Sequence, residues 1–190
     1  MIKKLIRKIR RVLGIPQKYA SETSKVRHLV VDYCKGLGCD IGFGGDKICK
    51  ENCLGIDFQQ PYAATGIDKV DIICDVMKEK IPVADNHFDY VYSSHLIEDF
   101  VNTENALTEF IRILKNEGNL ILIFPDQQKY EATCKKTGQP LNMYHVHTEM
   151  GLQFMLAALQ KINGISYDIL YSDECSIDYN VILVLKIYKS

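Results

Sequence analysis

Gly38-Cys39-Asp40-Ile41-Gly42-Phe43-Gly44-Gly45, followed by Gly55-Ile56-Asp57 at the end of the next apolar stretch, is the part of the chain on which the fold is decided. An acidic residue closes a short strand, glycines open the turn after it, and a second acidic residue closes the next strand. Glycines there let a backbone approach a ligand closely, because no Cβ intervenes and positive φ costs little. Asp57 is placed to accept hydrogen bonds from a ribose, as the acidic residue of dinucleotide folds does. The spacing departs from the dinucleotide fingerprint, however. In G-x-G-x-x-G read from Gly42 the third glycine falls on Lys47, which spoils the helix start that would cradle a pyrophosphate. What remains suits a nucleoside ligand without a pyrophosphate, and so points to S-adenosylmethionine.

Outward from that stretch, alternating units are predicted. Leu37 to Ile41 reads as a strand, with a short helical turn near Lys47 to Glu51. Further strands are expected at Leu54 to Asp57, Val70 to Asp75 and Phe88 to Ser93. Asn102 or Thr103 can cap a helix carrying Leu107, Phe110, Ile111 and Leu114, with Gly118 as its stop. Asn119 to Phe124 is a near-continuous apolar run, as in a strand buried on both faces. Thr148 to Lys161 reads as a helix and Asn163-Gly164 as a turn, before strands at Ile165 to Leu170 and Val181 to Tyr188. The last connection is too short for a helical crossover, so the final strand must run antiparallel to its neighbour. The expectation is an α/β fold: a Rossmann-like three-layer sandwich whose mostly parallel sheet has an antiparallel final strand.

On the other side, a helix is expected from about Glu22 to Tyr33, stopped by Lys35-Gly36. Before it, Ile2, Leu5, Ile6, Ile9 and Leu13 recur at helical spacing with cations between them, ended by Gly14 and Pro16. Residues 1–14 are thus predicted as a basic amphipathic helix, and 22–190 as a single domain, which suits a length of 190 residues. Residues 1–11 hold six of the 23 basic residues and no acid, leaving 17 basic against 24 acidic residues in the remainder. An acidic body argues against a nucleic-acid groove. Residues 1–13 are instead expected to dock on an anionic membrane surface or a membrane-bound partner. Packing on the domain's own sheet, on a second subunit, or as a solvated leader are the competing readings. No apolar run approaches a membrane span, and the start lacks a separate apolar core and cleavage site of a signal peptide. Seven scattered cysteines fit reduced thiols in a cytoplasmic protein, peripheral at most to the inner face of the membrane. Cys49 and Cys53 lack the paired C-x-x-C of a zinc site, and no metal is expected.

Four segments taken in order resemble the class I S-adenosylmethionine-dependent methyltransferases, over roughly residues 25–190. They are Cys39 to Gly45, Gly55-Ile56-Asp57, Asp71 to Val76, and the block FDYVYSSHLIEDF…FIRILKNEGNLILIFPD. In the last, Arg112, Leu114, Lys115 and Gly118 match the family's turn into its fifth strand, while Glu117 replaces the first of two glycines. The resemblance implies that Asp40, Gly42 and Gly44 lie against the methionine part of the cofactor and that Asp57 binds the ribose hydroxyls. It also implies that Asp75 and Val76 sit at the adenine, with Ser93, Ser94 and His95 on the cofactor-facing rim. Where many small relatives have L-E-H after strand four, this chain has Ile97-Glu98-Asp99, so no role passes to that histidine. The leader and the tail around Asp173-Glu174-Cys175-Ser176 and Tyr179-Asn180 are similar to small bacterial methyltransferases of surface-polysaccharide synthesis.

A methyl donor that carries its own activated methyl asks the protein mainly to align nucleophile, methyl and sulfur. A hydroxyl acceptor benefits from a base, and His95, His145 and His147 are the candidates. Tyr144-His145-Val146-His147 with Asp126 could also be read as a metal pair, although histidines flanking a helix start are commoner than metal pairs. The expected activity is methyl transfer from S-adenosylmethionine to a small polar acceptor, a sugar hydroxyl of a glycan. Methylation of another small metabolite, or a non-catalytic S-adenosylmethionine-binding module, is the alternative.

Overall fold

The computed structural model of the chain describes residues 21–61, 65–174 and 177–190. The expected helix within residues 1–14 lies outside these. Seven strands form one sheet in the order β3-β2-β1-β4-β5-β7-β6. They are β1 (Gly38–Ile41), β2 (Cys53–Asp57), β3 (Ile72–Ile73), β4 (Phe88–Ser94), β5 (Leu114–Pro125), β6 (Ile165–Glu174) and β7 (Asn180–Lys189). The first five pair in parallel, while β7 lies antiparallel between β5 and β6, as the short β6–β7 connection requires. Among the described residues four α-helices flank the sheet: α1 (Glu22–Val30), α2 (Thr103–Ile113), α3 (Gln127–Thr137) and α4 (Leu152–Gln160). Alternation along the strands divides the core in two. Cys39, Ile41, Leu122 and Leu183 meet α2 and α4 on one face, and Tyr90, Tyr92, Ile121 and Ile182 meet Val26 and Val30 of α1 on the other. This is the expected Rossmann-like three-layer sandwich.

The helical turn expected at Lys47 to Glu51 does not form; the crossover from β1 to β2 is irregular throughout. Side chains from elsewhere take the backbone groups that a helix would pair internally. Asp40 accepts from the amide of Ile48 (2.7 Å) and Asp68 from that of Lys47 (2.9 Å). The Arg27 guanidinium donates to the carbonyls of Lys47 (3.0 Å) and Ile48 (3.1 Å). β3 is likewise shorter than the predicted Val70 to Asp75. Beside its start the Asp71 carboxylate accepts from the Gly55 amide (2.8 Å), doing with a side chain what a strand does with its carbonyl.

Two helix boundaries shift. α2 begins as expected, with the Asn102 side chain accepting from the Asn105 amide (2.9 Å), but ends at Ile113 rather than near Gly118. Its last carbonyls are taken over by the amides of Asn86 and His87, and Leu114 is already extended and paired with Phe88. α4 starts at Leu152 rather than Thr148, because the preceding residues are held in a loop over the sheet edge. α3 was not predicted. It is polar, burying only Gln127, Tyr130 and Cys134, and is bracketed by the Asp126 carboxylate at its start and Gly138 (φ 70°) at its end.

Candidate active site

The carboxyl ends of β1, β2 and β4 meet along one edge, where open α/β sheets place their ligands. Beyond β1 the backbone turns through left-handed conformations at Gly42 (φ 72°), Gly44 (φ 58°) and Gly45 (φ 88°). A side chain at Gly42 would be strained by its φ and would also meet Leu96 at 2.8 Å. The Asp57 carboxylate, 8% exposed, accepts from the amides of Gly44 (3.0 Å) and Phe58 (2.7 Å), so it ties the glycine loop to the end of β2. A second loop closes on the first. Thr65 donates to the Gly44 carbonyl (2.7 Å) and Asp68 to that of Gly45 (2.8 Å), while Gly66 passes so near that a Cβ would stand 1.9 Å from the Gly45 oxygen. Gly66 was missed in the sequence because it lies in a polar stretch with no periodic neighbour.

These residues bound a cleft whose walls include Gly42, Gly44, Asp57, Val76, His95 and Leu96. Of the other residues expected there, none lines the cleft. Asp40 is fully buried beneath the loop, and burial above all pushes its pKa well above the ordinary carboxylate value. Ser93 spends its hydroxyl on the Ile41 carbonyl (3.1 Å). Asp75 accepts from the Met77 amide (3.2 Å) and pairs with Lys78 (3.0 Å).

Beside the cleft lies a polar cluster that sequence reasoning found only in part. His95, itself at φ 52°, has Nε2 2.8 Å from the Asn180 amide oxygen. Because the Asn180 nitrogen donates to Glu22 (3.2 Å), the oxygen must face His95, and Nε2 is the donor. Its Nδ1 stands 3.3 Å from Glu98 Oε1, and His145 Nε2 stands 3.6 Å from the same oxygen. Gln127 fixes His145 from behind, accepting from Nδ1 at 2.9 Å while donating its own amide to Glu131. Glu98 is 1% exposed, and among the described residues no amide or hydroxyl donor reaches its carboxylate.

Two neutral imidazoles would therefore aim two lone pairs at one carboxylate. A single additional proton relieves the conflict at one of the two rings, and it belongs on His95. Burial opposes the charged form of His95, but the hydrogen bond and charge of Glu98, with Glu22 and Asn180, outweigh it and raise its pKa. At His145 burial, helped by the charge of His95, prevails over Glu98 and the pKa falls. His147 takes no part. Its Nε2 lies 2.7 Å from the Phe100 carbonyl and 3.1 Å from the Thr103 hydroxyl, at the start of α2. Among the described residues no three His, Cys, Asp or Glu side chains are arranged to hold a metal ion.

A doubly flanked, mostly parallel sheet with its seventh strand reversed, and a glycine-walled cleft beyond its first two strands, define a Rossmann-like nucleoside-binding enzyme class. The methyltransferase-domain family matches residues 29–122, from the end of α1 into β5. The chain is an S-adenosylmethionine-dependent methyltransferase.

Solved structures agree in fold. A protein of Pyrococcus horikoshii OT3 is 15% identical, with 94% of this chain and 98% of that one covered and a TM-score of 0.64. An S-adenosylmethionine-dependent methyltransferase from Mesorhizobium loti is 13% identical, with 88% and 98% covered and a TM-score of 0.61. One from Archaeoglobus fulgidus is 16% identical, with 86% and 92% covered and a TM-score of 0.58. No curated protein matches the sequence at a significant level.

Proposed function

We propose that the chain transfers the methyl group of S-adenosylmethionine to a hydroxyl of a small polar acceptor, a sugar of a bacterial surface glycan. The observation that carries this reading is the polar cluster of His95, Glu98, Asn180 and His145 standing beside a glycine-walled cleft at one sheet edge. The residues present fit the cofactor: exposed backbone at Gly42 and Gly44, an acidic side chain at Asp57, and apolar walls from Phe58, Pro61 and Val76. When bound, S-adenosylmethionine supplies a methyl already activated on a sulfonium.

In this reading Gly42 and Gly44 border its methionine part, Asp57 accepts from the ribose hydroxyls, and Val76 borders the adenine. Asp40, Ser93 and Asp75 serve by holding the glycine loop, β1 and the 75–78 turn in place. His95 acts once its Nε2 proton has been given up to solvent, the Nδ1 proton staying toward Glu98 as the orienting carboxylate; with the acceptor hydroxyl in place of the Asn180 oxygen, Nε2 then receives the acceptor's proton. His145 shares Glu98, and His147 anchors the loop that carries His145. The unpaired thiols among the described residues support the reading of a cytoplasmic reaction.

A second reading, binding without transfer, has one observation in its favour: both ring nitrogens of His95 are engaged within the protein. Calorimetry with S-adenosylhomocysteine and NAD, followed by a labelled-methyl assay against sugar nucleotides and lipid-linked glycans, separates the two. Transfer predicts tight binding of the first ligand only, labelled product, and a His95→Ala enzyme that binds normally but turns over about 10²-fold more slowly. Binding with no label transferred to any acceptor favours the second reading, and no binding of S-adenosylhomocysteine rejects both.

A further inference from the structure

Within the loop between α3 and α4, residues 138–150, the stretch 141–147 has its polarity reversed. Its polar groups face the protein. The Asn142 amide donates to the Tyr130 hydroxyl (2.7 Å), His145 bonds Gln127, the Val146 amide donates to the Glu98 carbonyl (3.1 Å), and His147 bonds the Phe100 carbonyl. Its large apolar side chains face out. Leu141 is 56% exposed, Met143 84%, Tyr144 53% and Val146 46%, four within six residues. A slack loop could turn these inward. This one is fastened at Asn142, His145, Val146 and His147, so the apolar crown is a built surface on the rim of the cleft. Contiguous exposed apolar side chains of this kind mark a contact surface.

Charge and placement select its occupant. Residues 1–11 carry six cations and no acid. The chain leaves that segment to begin α1 on the same rim: Glu22 accepts from Asn180, the ring of neighbouring Tyr179 packs on Tyr130 (5.0 Å), and Tyr130 holds Asn142. Cations beside a small apolar crown match an anionic headgroup layer over an acyl boundary. We infer that residues 141–146 are a docking surface for an anionic lipid leaflet, to which the six cations of residues 1–11 add charge attraction. The docking stands independently of the acceptor; that the acceptor is presented at the lipid surface rests on the methyltransferase reading.

The chain contains no tryptophan, so Met143→Trp installs a single reporter on the crown. With vesicles containing phosphatidylglycerol its emission should shift to the blue and be quenched by brominated acyl chains. A Met143→Asp/Tyr144→Asp protein should float with those vesicles at least tenfold less, with unchanged melting temperature and S-adenosylhomocysteine affinity. Emission indifferent to vesicles overturns the inference. So does a blue shift that grows with protein concentration in the absence of lipid, which would assign the crown to a second copy of the chain. Undiminished flotation of the double variant would also overturn it, leaving residues 1–11 as the only anchor. Normal cofactor binding in these samples separates a failed docking surface from a failed methyltransferase reading.

Discussion

Asp57 and Glu98 are both buried carboxylates at the sheet edge, yet only one was legible. Asp57 closes an apolar run and follows a glycine turn, so its position is set by local pattern. Glu98 becomes a hub only because β4, α3 and the 138–150 loop bring His95, His145 and Val146 to it from separate parts of the chain. Asp57→Ala should weaken S-adenosylhomocysteine binding by roughly 1–3 kcal/mol, the range of a hydrogen bond to a charged group, with Asp57→Asn retaining part of it; isothermal titration checks the order. Glu98→Gln should lower the pKa of His95, seen by NMR titration of its ring carbons. The raised folded pKa of His95 means its contribution to stability is complete below its unfolded pKa, about 6.5, and is lost as pH rises through the folded value. His145, with its pKa lowered, contributes in the opposite sense: fully above the unfolded value and lost as pH falls through the folded one. In Glu98→Gln the His95 share should flatten, so denaturation midpoints at pH 6 and pH 8 should draw together on that account.

Elements with a strong period were read correctly, and their ends less well. α2 declares itself through Leu107, Phe110 and Ile111, but nothing local says that Asn86 and His87 will cap its last turn. α3 has only three buried residues in eleven and so shows no stripe; its bracket of Asp126 and Gly138 was the available signal. The opening residues of β5 hold a testable strain. Glu117 stands where the family turn has a glycine, and it takes φ 61° while exposed to solvent. A left-handed L-residue costs about 1 kcal/mol, partly offset by the greater freedom of glycine in the unfolded chain. Glu117→Gly should therefore stabilise by about 0.5–1 kcal/mol and raise Tm by roughly 1–4 °C. An unchanged or lower Tm in a thermal melt would show that the turn relaxes at no cost.

At the scale of the molecule the two halves of the sheet are unequally supported. The reversed seventh strand was foreseeable from a connection too short to cross over, and it carries β5, β7 and β6 as a wide antiparallel block beside β4. The other half was less legible, because β1, β2 and β3 are joined without helices among the described residues and rely on Arg27, Asp40, Asp68 and Asp71 to occupy the loop backbone. Opening should begin at the two-residue edge strand β3 and spread inward. Amide hydrogen exchange is expected to be fastest around residues 66–76, slowest in β5 and β7, and most slowed by cofactor in the first region. At a hundredfold excess over Kd, a ligand that binds only the closed form adds about 2.7 kcal/mol to the cost of opening. Uniform protection across the sheet would contradict this asymmetry.

Cysteines are distributed along that gradient. Burial raises the thiol pKa of Cys74 after β3, to about 12 for Cys53 in β2, and well above the ordinary value for Cys39 in β1. Protonated thiols barely react with iodoacetamide, so each becomes labelled chiefly when its own strand parts from the sheet. The native enzyme thus keeps a clock of its opening, one hand per strand. Label should arrive at Cys74 first, Cys53 next and Cys39 last, and S-adenosylhomocysteine should slow the first hand more than the third.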